Sequence, residues 1–334
     1  MNVLLTSVGR RAYMVKYFKD VLGESGEVHV SNSDDKTVAF HYADHSVITP
    51  LIYDDNYIPF LLEYCKENKI DILISLFDID LLMLSKNKER FAEIGTKVIV
   101  SEPELISVCN DKWKTYLFLK ENGFNVPKTY LTLSKVMLAL ESGEIHYPII
   151  VKPRFGCGSI AMSVAEDEMS LLYYYSRNTR AVNRTYLKYE SAAEEEKIIY
   201  QEFLNGQEYG VDIINDLQGD YQNSIVKKKI AMRAGETDIA ELLEEPVIKN
   251  ETEKLAKLTR HIANMDCDVF LVDGKPYILE MNARFGGGYP FSHVGGCNLP
   301  KAIVEWSKGN IVAPEILTCK TDVTIYKELV MTES

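Results

Sequence analysis

The chain has 334 residues, enough for two or three domains, and its 46% hydrophobic and 26% charged residues are ordinary for a globular protein. Its formal net charge of -12 disfavours nucleic acid or an anionic membrane as the main partner. The six cysteines form no Cys-x-x-Cys pair, which argues against a zinc site and favours a reduced, cytoplasmic setting. The amino-terminal residues do not resemble a signal peptide, and no apolar run approaches the ~20 residues that span a bilayer.

Short apolar runs alternate with helical patterns over the first hundred residues. We predict strands over 3–6, 27–31, 71–76 and 97–100, and helices over 11–22, 57–68 and 79–92. This alternation is typical of βαβ units on a parallel sheet. The first turn lacks Gly-x-Gly-x-x-Gly, which disfavours an oxidoreductase. Gly9, Arg10 and Arg11 there form either an anion site at a helix start or a plain tight turn.

The rest of the chain combines further strands with two predicted helices. The strands are predicted over 148–153, 159–164, 198–203, 208–214, 224–232, 268–272 and 277–281, the last two forming a hairpin. The helices are predicted over 112–122 and 250–263. The polar stretch 177–197 indicates a solvated loop or an exposed helix.

A glycine-bearing loop runs from Lys152 to Ser159 between two of these strands. Glycines let backbone amides approach phosphate oxygens, and a lysine adds a point charge. The loop lacks the Gly-Lys-Ser/Thr ending of a P-loop, and a strand rather than a helix follows it. A simple glycine turn in a hairpin is the alternative.

A second segment places acids around a turn. An apolar strand ends at Glu202, followed by Phe203, Leu204, a turn and Glu208. Backbone groups at a strand end can bind an adenine edge, and the Glu208 carboxylate can accept two hydrogen bonds from ribose hydroxyls. A hairpin with exposed glutamates is the alternative.

A third segment closes an apolar strand with polar residues at alternate positions. Because strand side chains alternate, we expect Ile278, Glu280, Asn282 and Arg284 on one face and Leu279 on the other. Carboxylate and amide oxygens suit Mg²⁺, and a guanidinium pairs with phosphate. A solvated polar strand face is the alternative.

The order of these three segments, with Asp111-Lys112 opening an upstream helix, resembles the ATP-grasp superfamily. The similarity runs over about 112–296, and the preceding βαβ region resembles the usual amino-terminal domain of that superfamily. Residues 280–284 are close to the Glu-Met-Asn-Pro-Arg run of carbamoyl-phosphate synthase large subunits. Residues 284–290 resemble single-module proteins named after that subunit. The chain has length for only one module and carries Ala283 in place of proline, which distinguishes it from the synthase itself.

The resemblance implies a mixed architecture, part α/β and part α+β. A Rossmann-like, parallel-sheet domain that precedes the ATP-grasp fold would occupy 1–110. An ATP-grasp fold of two subdomains would follow, with the glycine loop in 111–200 and the metal site in 201–334.

The resemblance also implies a site, residue by residue. The nucleotide-binding residues would be Lys112, Lys152, Gly156, Gly158, Ser159, Glu202, Phe203, Leu204 and Glu208. The ligands of one or two Mg²⁺ ions, with Mn²⁺ as an alternative, would be Asp268, Glu280 and Asn282. The catalytic residues would be Arg284, Lys152 and Arg233, and Lys227 or Lys229 would help to hold phosphate or a substrate carboxylate.

The hairpin adds a geometric condition. A two-residue turn at 273–274 would pair Asp268 with Leu279 on the wrong face and remove it as a ligand. We therefore predict a three-residue loop over 273–275, which pairs Asp268 with Glu280.

The implied activity is that of an ATP-dependent ligase, which activates a carboxylate as an acyl-phosphate and joins it to an amine or ammonia. Carboxyphosphate or carbamoyl-phosphate chemistry on bicarbonate, and a non-catalytic ATP-binding regulator, are the alternatives. The partners would be small-molecule carboxylates and amines, without nucleic acid or membrane, and a homodimer is left open. Substrate contacts are expected from Arg10, Arg11, Asp78 and Asp80 and from the loops that carry Arg233 and Arg284.

Overall fold

Three β-sheets organise the computed structural model, which describes residues 1–156, 161–190 and 193–333. A parallel five-stranded sheet comes first along the chain, followed by antiparallel sheets of four and six strands. The predicted fold class, a parallel-sheet domain followed by an α+β region, is confirmed. The boundaries 1–110, 111–200 and 201–334 stay a prediction.

The amino-terminal sheet has the strand order β3-β2-β1-β4-β5. Its strands are β1 (Asn2–Thr6), β2 (Val28–Asn32), β3 (His45–Ile48), β4 (Ile70–Ser75) and β5 (Lys97–Val98). Its helices are α1 (Ala12–Leu22), α2 (Tyr57–Glu67) and α3 (Asp78–Glu93), and α4 (Pro103–Cys109) leads out of it. Only β3 among these strands is missing from the sequence prediction, because it is a largely exposed edge strand without an apolar pattern.

The four-stranded sheet has the order β6-β9-β7-β8. In chain order its elements are α5 (Lys112–Glu121), β6 (Thr129–Tyr130), α6 (Leu133–Glu141), β7 (Ile149–Pro153), β8 (Ser163–Ala165), α7 (Glu168–Asn183) and β9 (Ile198–Glu202). The stretch 177–197 begins inside α7, and its described part includes short 3-10 turns at 186–189 and 194–196. Its first part is helical, as one of the two interpretations had it, but Asn178 and Val182 are buried, so that helix is not exposed on all sides.

The six-stranded sheet has the order β14-β13-β10-β11-β12-β15. Its elements are β10 (Gln207–Asn215), β11 (Tyr221–Arg233), β12 (Glu236–Leu242), α8 (Pro246–Thr259), β13 (Asn264–Val272), β14 (Lys275–Asn282), α9 (Tyr289–Gly295), α10 (Leu299–Ser307) and β15 (Val323–Tyr326). Helix α8 lies four residues earlier than predicted, with Pro246 in its first turn, where proline needs no hydrogen-bond donor. Among the described residues, no helix has the length and hydropathy that crossing a bilayer requires.

Buried apolar side chains gather in three clusters. Two of them join the amino-terminal sheet to the six-stranded sheet: Leu5 packs in one cluster with Phe285, and Leu4 in the other with Met281. The third contains only residues from 136–200, within and around the four-stranded sheet. The four-stranded sheet therefore has a core of its own, whereas the other two sheets share theirs.

Candidate functional site

A cavity of about 530 Å³ lies between the four-stranded and the six-stranded sheet, a volume typical of small-molecule sites. We call the four-stranded sheet with residues 154–156 the roof, and the six-stranded sheet the floor. Ile150 and Val164 line the cavity from the roof, and Phe270 and Leu279 line it from the floor. These side chains give the cavity an apolar part suited to a flat, apolar group.

The segment between β9 and β10 closes one side of this cavity. Glu202, Phe203 and Leu204 all line it, as their positions at a strand end predicted. The backbone nitrogen of Lys128 donates to Glu202 Oε2 at 3.0 Å, and Glu202 N donates to Lys128 O at 2.8 Å. The Glu202 carboxylate therefore fixes the edge of the roof as well as facing the cavity.

A buried lysine occupies the roof. Lys152 on β7 is 6% exposed, and its Nζ donates to Gln201 Oε1 at 2.8 Å. Burial lowers the pKa of Lys152 to about 8, although the Glu280 carboxylate opposes this shift. Gln201, which sequence reasoning missed, is itself fixed by donating to Thr129 Oγ1 at 2.9 Å. Its only sequence signal was the alternation of strand β9, which places it on the same face of the roof as Lys152.

Lys112 connects the roof to the floor. It is the first residue of α5, and its Nζ donates to the backbone oxygen of Gly156 and lies 4.0 Å from Glu280 Oε2. Gly156 has a φ of +91°, and a Cβ there would lie 2.6 Å from a methyl carbon of Leu187. The backbone conformation therefore favours glycine at 156, and a Cβ there would also force the Leu187 side chain to move. The predicted residues Gly158 and Ser159 lie outside the described residues.

An ion pair fixes the start of the glycine loop. Asp111 caps α5, and its carboxylate also accepts two hydrogen bonds from Arg154, each 2.8 Å long. Glu196 Oε2 accepts a third from the same guanidinium at 2.8 Å, and these carboxylates, Asp111 first, raise the pKa of Arg154. Arg154 thus fixes the start of the glycine loop to the cap of α5.

The floor hairpin has a two-residue turn, so the predicted three-residue loop is wrong. Val272 pairs directly with Lys275 across Asp273 and Gly274. Both turn residues have positive φ, 49° and 74°, as a type I′ turn requires. An Asp-Gly pair favours this two-residue turn. We predicted the longer loop because, in a hairpin without a bulge, only that loop pairs Asp268 with Glu280.

A bulge restores the register that the turn would have lost. Val269 pairs with Ile278, but Asp268 pairs with Glu280, so Leu279 is an extra residue on β14. The predicted pairing of Asp268 with Glu280 is therefore present. The inference that a two-residue turn removes Asp268 from the site is wrong, because the bulge compensates for the turn.

The same bulge changes which side chains share a face. Ile278 is buried in the core with Met281 and Ala283, whereas Leu279 lines the cavity beside Glu280. Strict alternation is therefore wrong at Ile278 and Leu279. From Glu280 onward the side chains alternate as predicted, because the bulge lies before that residue.

The floor carboxylates surround a third lysine. Lys229 Nζ donates to Asp268 Oδ1 at 2.7 Å and to Glu208 Oε1 at 2.6 Å. Burial alone would lower the pKa of Lys229, but these two carboxylates outweigh it and raise the pKa. Burial raises the pKa of Asp268 to about 6, with Lys229 opposing and Glu280 adding to the shift.

The acids fit a hard divalent cation. Asp268 and Glu280 are cross-strand partners, and Asn282 Nδ2 lies 3.5 Å from Glu280 Oε1. Burial would raise the pKa of Glu280, but Lys112 and Lys152 outweigh it, so its pKa is lowered and the group stays ionised. Two carboxylates and an amide oxygen are the donor set that Mg²⁺ takes in proteins.

A second cavity of about 230 Å³ adjoins the first. Lys229, Asp268 and Glu280 line both cavities. Arg11 and Phe77 reach the second one from loops at the carboxyl ends of β1 and β4, the edge where parallel sheets bind ligands. The acids thus lie between a larger, mainly apolar cavity and a smaller one whose lining is more polar.

Arg284 lines the second cavity but is held by two aspartates. Its guanidinium contacts both oxygens of Asp78 at 3.0 Å and Asp266 Oδ2 at 3.1 Å. A Cβ at position 286 would lie 2.1 Å from Asp266 Cγ, so Gly286 makes room for this carboxylate. Asp266 was missed in the sequence, although it lies two residues before Asp268 on the same strand and therefore on the same face.

Lys227 lies at the base of the second cavity in a buried polar network. Its Nζ donates to Asp212, whose Oδ2 also accepts from Ser292 Oγ at 2.5 Å and whose Oδ1 accepts from Asn264 at 3.1 Å. Removing either partner of this buried Lys227–Asp212 pair would leave an uncompensated charge and destabilise the floor.

Three residues expected near the substrate lie elsewhere. Arg233 is half-exposed at the end of β11 and pairs with Asp238, so the structure does not bring it to the described lining of either cavity. Arg10 is exposed and lies 3.7 Å from Glu236. Asp80 is fully buried, and burial raises its pKa while surrounding hydroxyls hold it.

Family models match two parts of the chain. Residues 109–288 match the model described as an ATP-grasp domain, and residues 3–99 match one described as "PylC-like, N-terminal domain". Among curated relatives, the carbamoyl phosphate synthase large chain of Pseudothermotoga lettingae is 25% identical over 80% of this chain and 24% of its own length. That of Campylobacter jejuni is 26% identical over 68% and 21%. The chain thus spans about a quarter of the curated relatives it matches.

Solved structures share the fold. An L-amino acid ligase from Bacillus licheniformis superposes with a TM-score of 0.74 at 20% identity, covering 99% of this chain and 81% of that one. A biotin carboxylase from Campylobacter jejuni, crystallised in complex with beta-gamma-ATP, gives 0.71 at 19% identity, covering 95% and 73%. At this identity the likeness concerns the fold alone.

Proposed function

The chain belongs to the ATP-grasp family, and on that premise we propose that it is an ATP-dependent ligase joining a carboxylate to an amine or ammonia. One observation carries the proposal. The paired acids Asp268 and Glu280 lie where a nucleotide-sized cavity meets a second, smaller one. Phosphoryl transfer between two bound molecules needs this arrangement, because the metal-held phosphate must face the acceptor.

The larger cavity would hold ATP. The adenine would lie between the apolar side chains of roof and floor, with its edge at the backbone of Phe203 and Leu204. Glu208 would bind the ribose. Lys112 and Lys152 would donate to the phosphates, and the pKa of Lys152, about 8, lets it become fully charged when phosphate arrives.

Asp268, Glu280 and Asn282 would hold one or two Mg²⁺ ions, and Mn²⁺ would fit the same donor set. The bound metal would neutralise charge that develops on the phosphates during transfer. Lys229, now paired with Asp268 and Glu208, holds these two side chains in place before nucleotide binds.

The smaller cavity would hold the substrate carboxylate. One of its oxygens would form a bond to the γ-phosphorus as the bond to ADP breaks, giving an acyl-phosphate. The amine nitrogen would then attack the carbonyl carbon, the bond to phosphate would break, and the proton lost by the amine would leave on that phosphate. Arg11 and Arg284 line this cavity and offer charge to the anionic groups.

The size of the smaller cavity favours an organic carboxylate over bicarbonate. A volume of about 230 Å³ holds many water molecules, since a cavity needs only about 10–15 Å³ to hold one, whereas bicarbonate has only four heavy atoms. Carboxyphosphate chemistry remains the second candidate, since the sequence relatives are carbamoyl phosphate synthase large chains.

ADP release by the full chain would test the proposal. Mg-ATP would be supplied with panels of amino acids and other organic carboxylates, each with and without ammonia or a second amine. We expect release only when carboxylate and amine are both present. Release with bicarbonate and ammonia alone would favour the second candidate, and tight ATP binding without turnover on any panel would favour a regulator.

We also propose a cellular location, domain boundaries, partners and an oligomeric state for this chain. The described cysteines are free thiols, in keeping with a reduced, cytoplasmic environment. We place the domain boundaries at 110 and 200, near the changes of sheet. The proposed partners are small molecules, and a homodimer is testable by light scattering.

A further inference from the structure

Three side chains with metal-binding atoms converge on the amino-terminal sheet, away from both cavities. They are Glu27, His29 and His45, and one ligand atom of each lies within 4.8 Å of the others. Glu27 Oε2 is 3.4 Å from His45 Nε2 and 3.7 Å from His29 Nε2. The two imidazole rings stack with centroids 4.5 Å apart.

The sheet itself creates this arrangement. His29 on β2 is the direct partner of His45 on the parallel strand β3, so both side chains leave the same face. They lie at the amino-terminal ends of their strands. Arg11 and Phe77, which line the second cavity, follow the carboxyl ends of β1 and β4 at the opposite edge of the same sheet. The three residues therefore belong to neither cavity.

One member of the cluster has an unsatisfied nitrogen. His29 is 2% exposed, and apart from the Glu27 carboxylate at 3.7 Å its Nε2 has no polar partner among the described residues. Its other nitrogen, Nδ1, lies 2.9 Å from the hydroxyl of Tyr64. A buried polar atom without a partner costs stability, and a histidine that ligates a metal generally uses its second nitrogen in a hydrogen bond of this kind.

The spacing fits a small cation. Ligand atoms about 2.0–2.1 Å from a tetrahedral zinc ion lie about 3.3 Å from one another. The two distances from Glu27 Oε2, 3.4 and 3.7 Å, are close to this value, and the ligand nitrogens of the two histidines lie within 4.8 Å of each other. Asp44, the neighbouring acid, is already committed: its carboxylate accepts from Lys19 Nζ at 2.6 Å and from Val28 N at 2.9 Å.

We propose that Glu27, His29 and His45 bind one divalent transition-metal cation of the zinc type, with a solvent molecule completing the coordination. Two imidazoles and a carboxylate suit Zn²⁺ better than Mg²⁺, which prefers oxygen ligands. Because β3 is the edge strand, the cation ties the edge of the sheet to β2. The site stabilises the amino-terminal sheet and takes no part in the ligase reaction.

Zinc binding to the full chain tests the proposal. The metal-free protein is titrated with Zn²⁺ against a chromogenic chelator in excess Mg²⁺, which occupies the oxygen-ligand site. We expect one equivalent of bound zinc, and a rise in thermal stability upon binding. Replacing Zn²⁺ by Co²⁺ gives visible absorption bands that report nitrogen ligation at low coordination number.

Matched variants locate the ion. His45→Ala changes a half-exposed ligand and should weaken zinc binding at least about tenfold, as should Glu27→Gln. His146→Ala removes an exposed histidine elsewhere and should leave binding unchanged, and Glu280→Gln should retain the zinc. Absence of zinc binding by the wild type, equal affinity in wild type and His45→Ala, or loss of the zinc in Glu280→Gln would each overturn the assignment.

Discussion

The roof and the floor contribute charged residues to the same cavity but are held in place differently. The floor shares two buried clusters with the amino-terminal sheet, and its acids are neutralised by Lys229 and Arg284 within that body. The roof has a separate core and is joined to the rest by the Asp111–Arg154 pair and by Lys112. A fixed floor suits metal and acceptor geometry, whereas an independently packed roof can open for nucleotide exchange.

The largest expected effect is on the floor. Glu280→Gln removes a ligand charge while preserving shape, so turnover should fall by about 10²–10³-fold or more, because the metal no longer holds the phosphates for transfer. Binding of ADP measured without Mg²⁺ should change little, since the adenine contacts that we propose, with the apolar lining and the backbone of Phe203 and Leu204, do not include Glu280. Initial-rate ADP release and equilibrium binding would check both parts.

The control for that variant is Glu253→Gln, which changes an exposed acid on α8 and should leave turnover intact. Full activity in Glu280→Gln would contradict the assignment of Glu280 as a metal ligand. It would also contradict the proposal that the floor binds the metal.

The separate cores predict separate unfolding. Leu171→Ala in the roof core should cost about 2–5 kcal/mol of local stability and speed amide exchange in β7 and β9, leaving β1 and β13 protected. Leu255→Ala, an equally buried leucine on α8, should instead speed exchange in β1 and β13 together. Hydrogen exchange followed by mass spectrometry resolves these segments.

Uniform acceleration of exchange by Leu171→Ala across all three sheets would show that the roof does not unfold independently. Roof and floor would then differ only in the charged residues that they contribute to the cavity.

A smaller effect concerns protons in the roof. The folded-state pKa of Lys152, about 8, lies below its ordinary 10.5, so between these values the unfolded state binds more protons. The contribution of Lys152 to stability therefore rises with pH across that window. Phosphate beside Lys152 favours its charged form, so ADP binding at pH 8 should take up about half a proton.

Calorimetry in buffers of different ionisation enthalpy measures that uptake. Lys152→Met should abolish it, whereas Lys135→Met, an exposed lysine on α6, should not. Equal proton uptake in wild type and Lys152→Met would show that another group titrates.

Sequence reasoning predicted the strands and helices that depend on patterns of neighbouring residues. The alternation around β1 and β4 predicted the parallel sheet. Glu202 and Glu208 line the larger cavity, and their nucleotide contacts stay a prediction. Sequence reasoning did not predict contacts between distant parts of the chain. Arg284, for example, contacts Asp78, 206 positions away, through packing that no local pattern encodes. Likewise, the absence of Cys-x-x-Cys argued against a zinc site, and our proposal of a zinc-type site reverses that expectation, because no local pattern places His45 beside His29.

The β13–β14 hairpin combines the tight turn that Asp273-Gly274 favours with the pairing of Asp268 and Glu280 that a metal site needs. Asp273-Gly274 forms the tight turn that its sequence favours, and the extra residue Leu279 absorbs the resulting mismatch. If the bulge rather than the turn sets the register of the acids, damage to the turn should reach stability before activity. Gly274→Ala tests this, because its φ of +74° strains any residue with a Cβ.

We expect Gly274→Ala to lower the free energy of unfolding by about 1 kcal/mol while changing kcat less than about twofold. Urea denaturation and steady-state rates measure the two quantities on the same preparation. Asp273→Asn, which keeps a residue tolerant of positive φ, serves as the matched control and should change neither quantity. A kcat loss in Gly274→Ala comparable to that of Glu280→Gln would mean that the turn positions Asp268 against Glu280. The floor would then depend on the hairpin loop after all, as the sequence alone suggested.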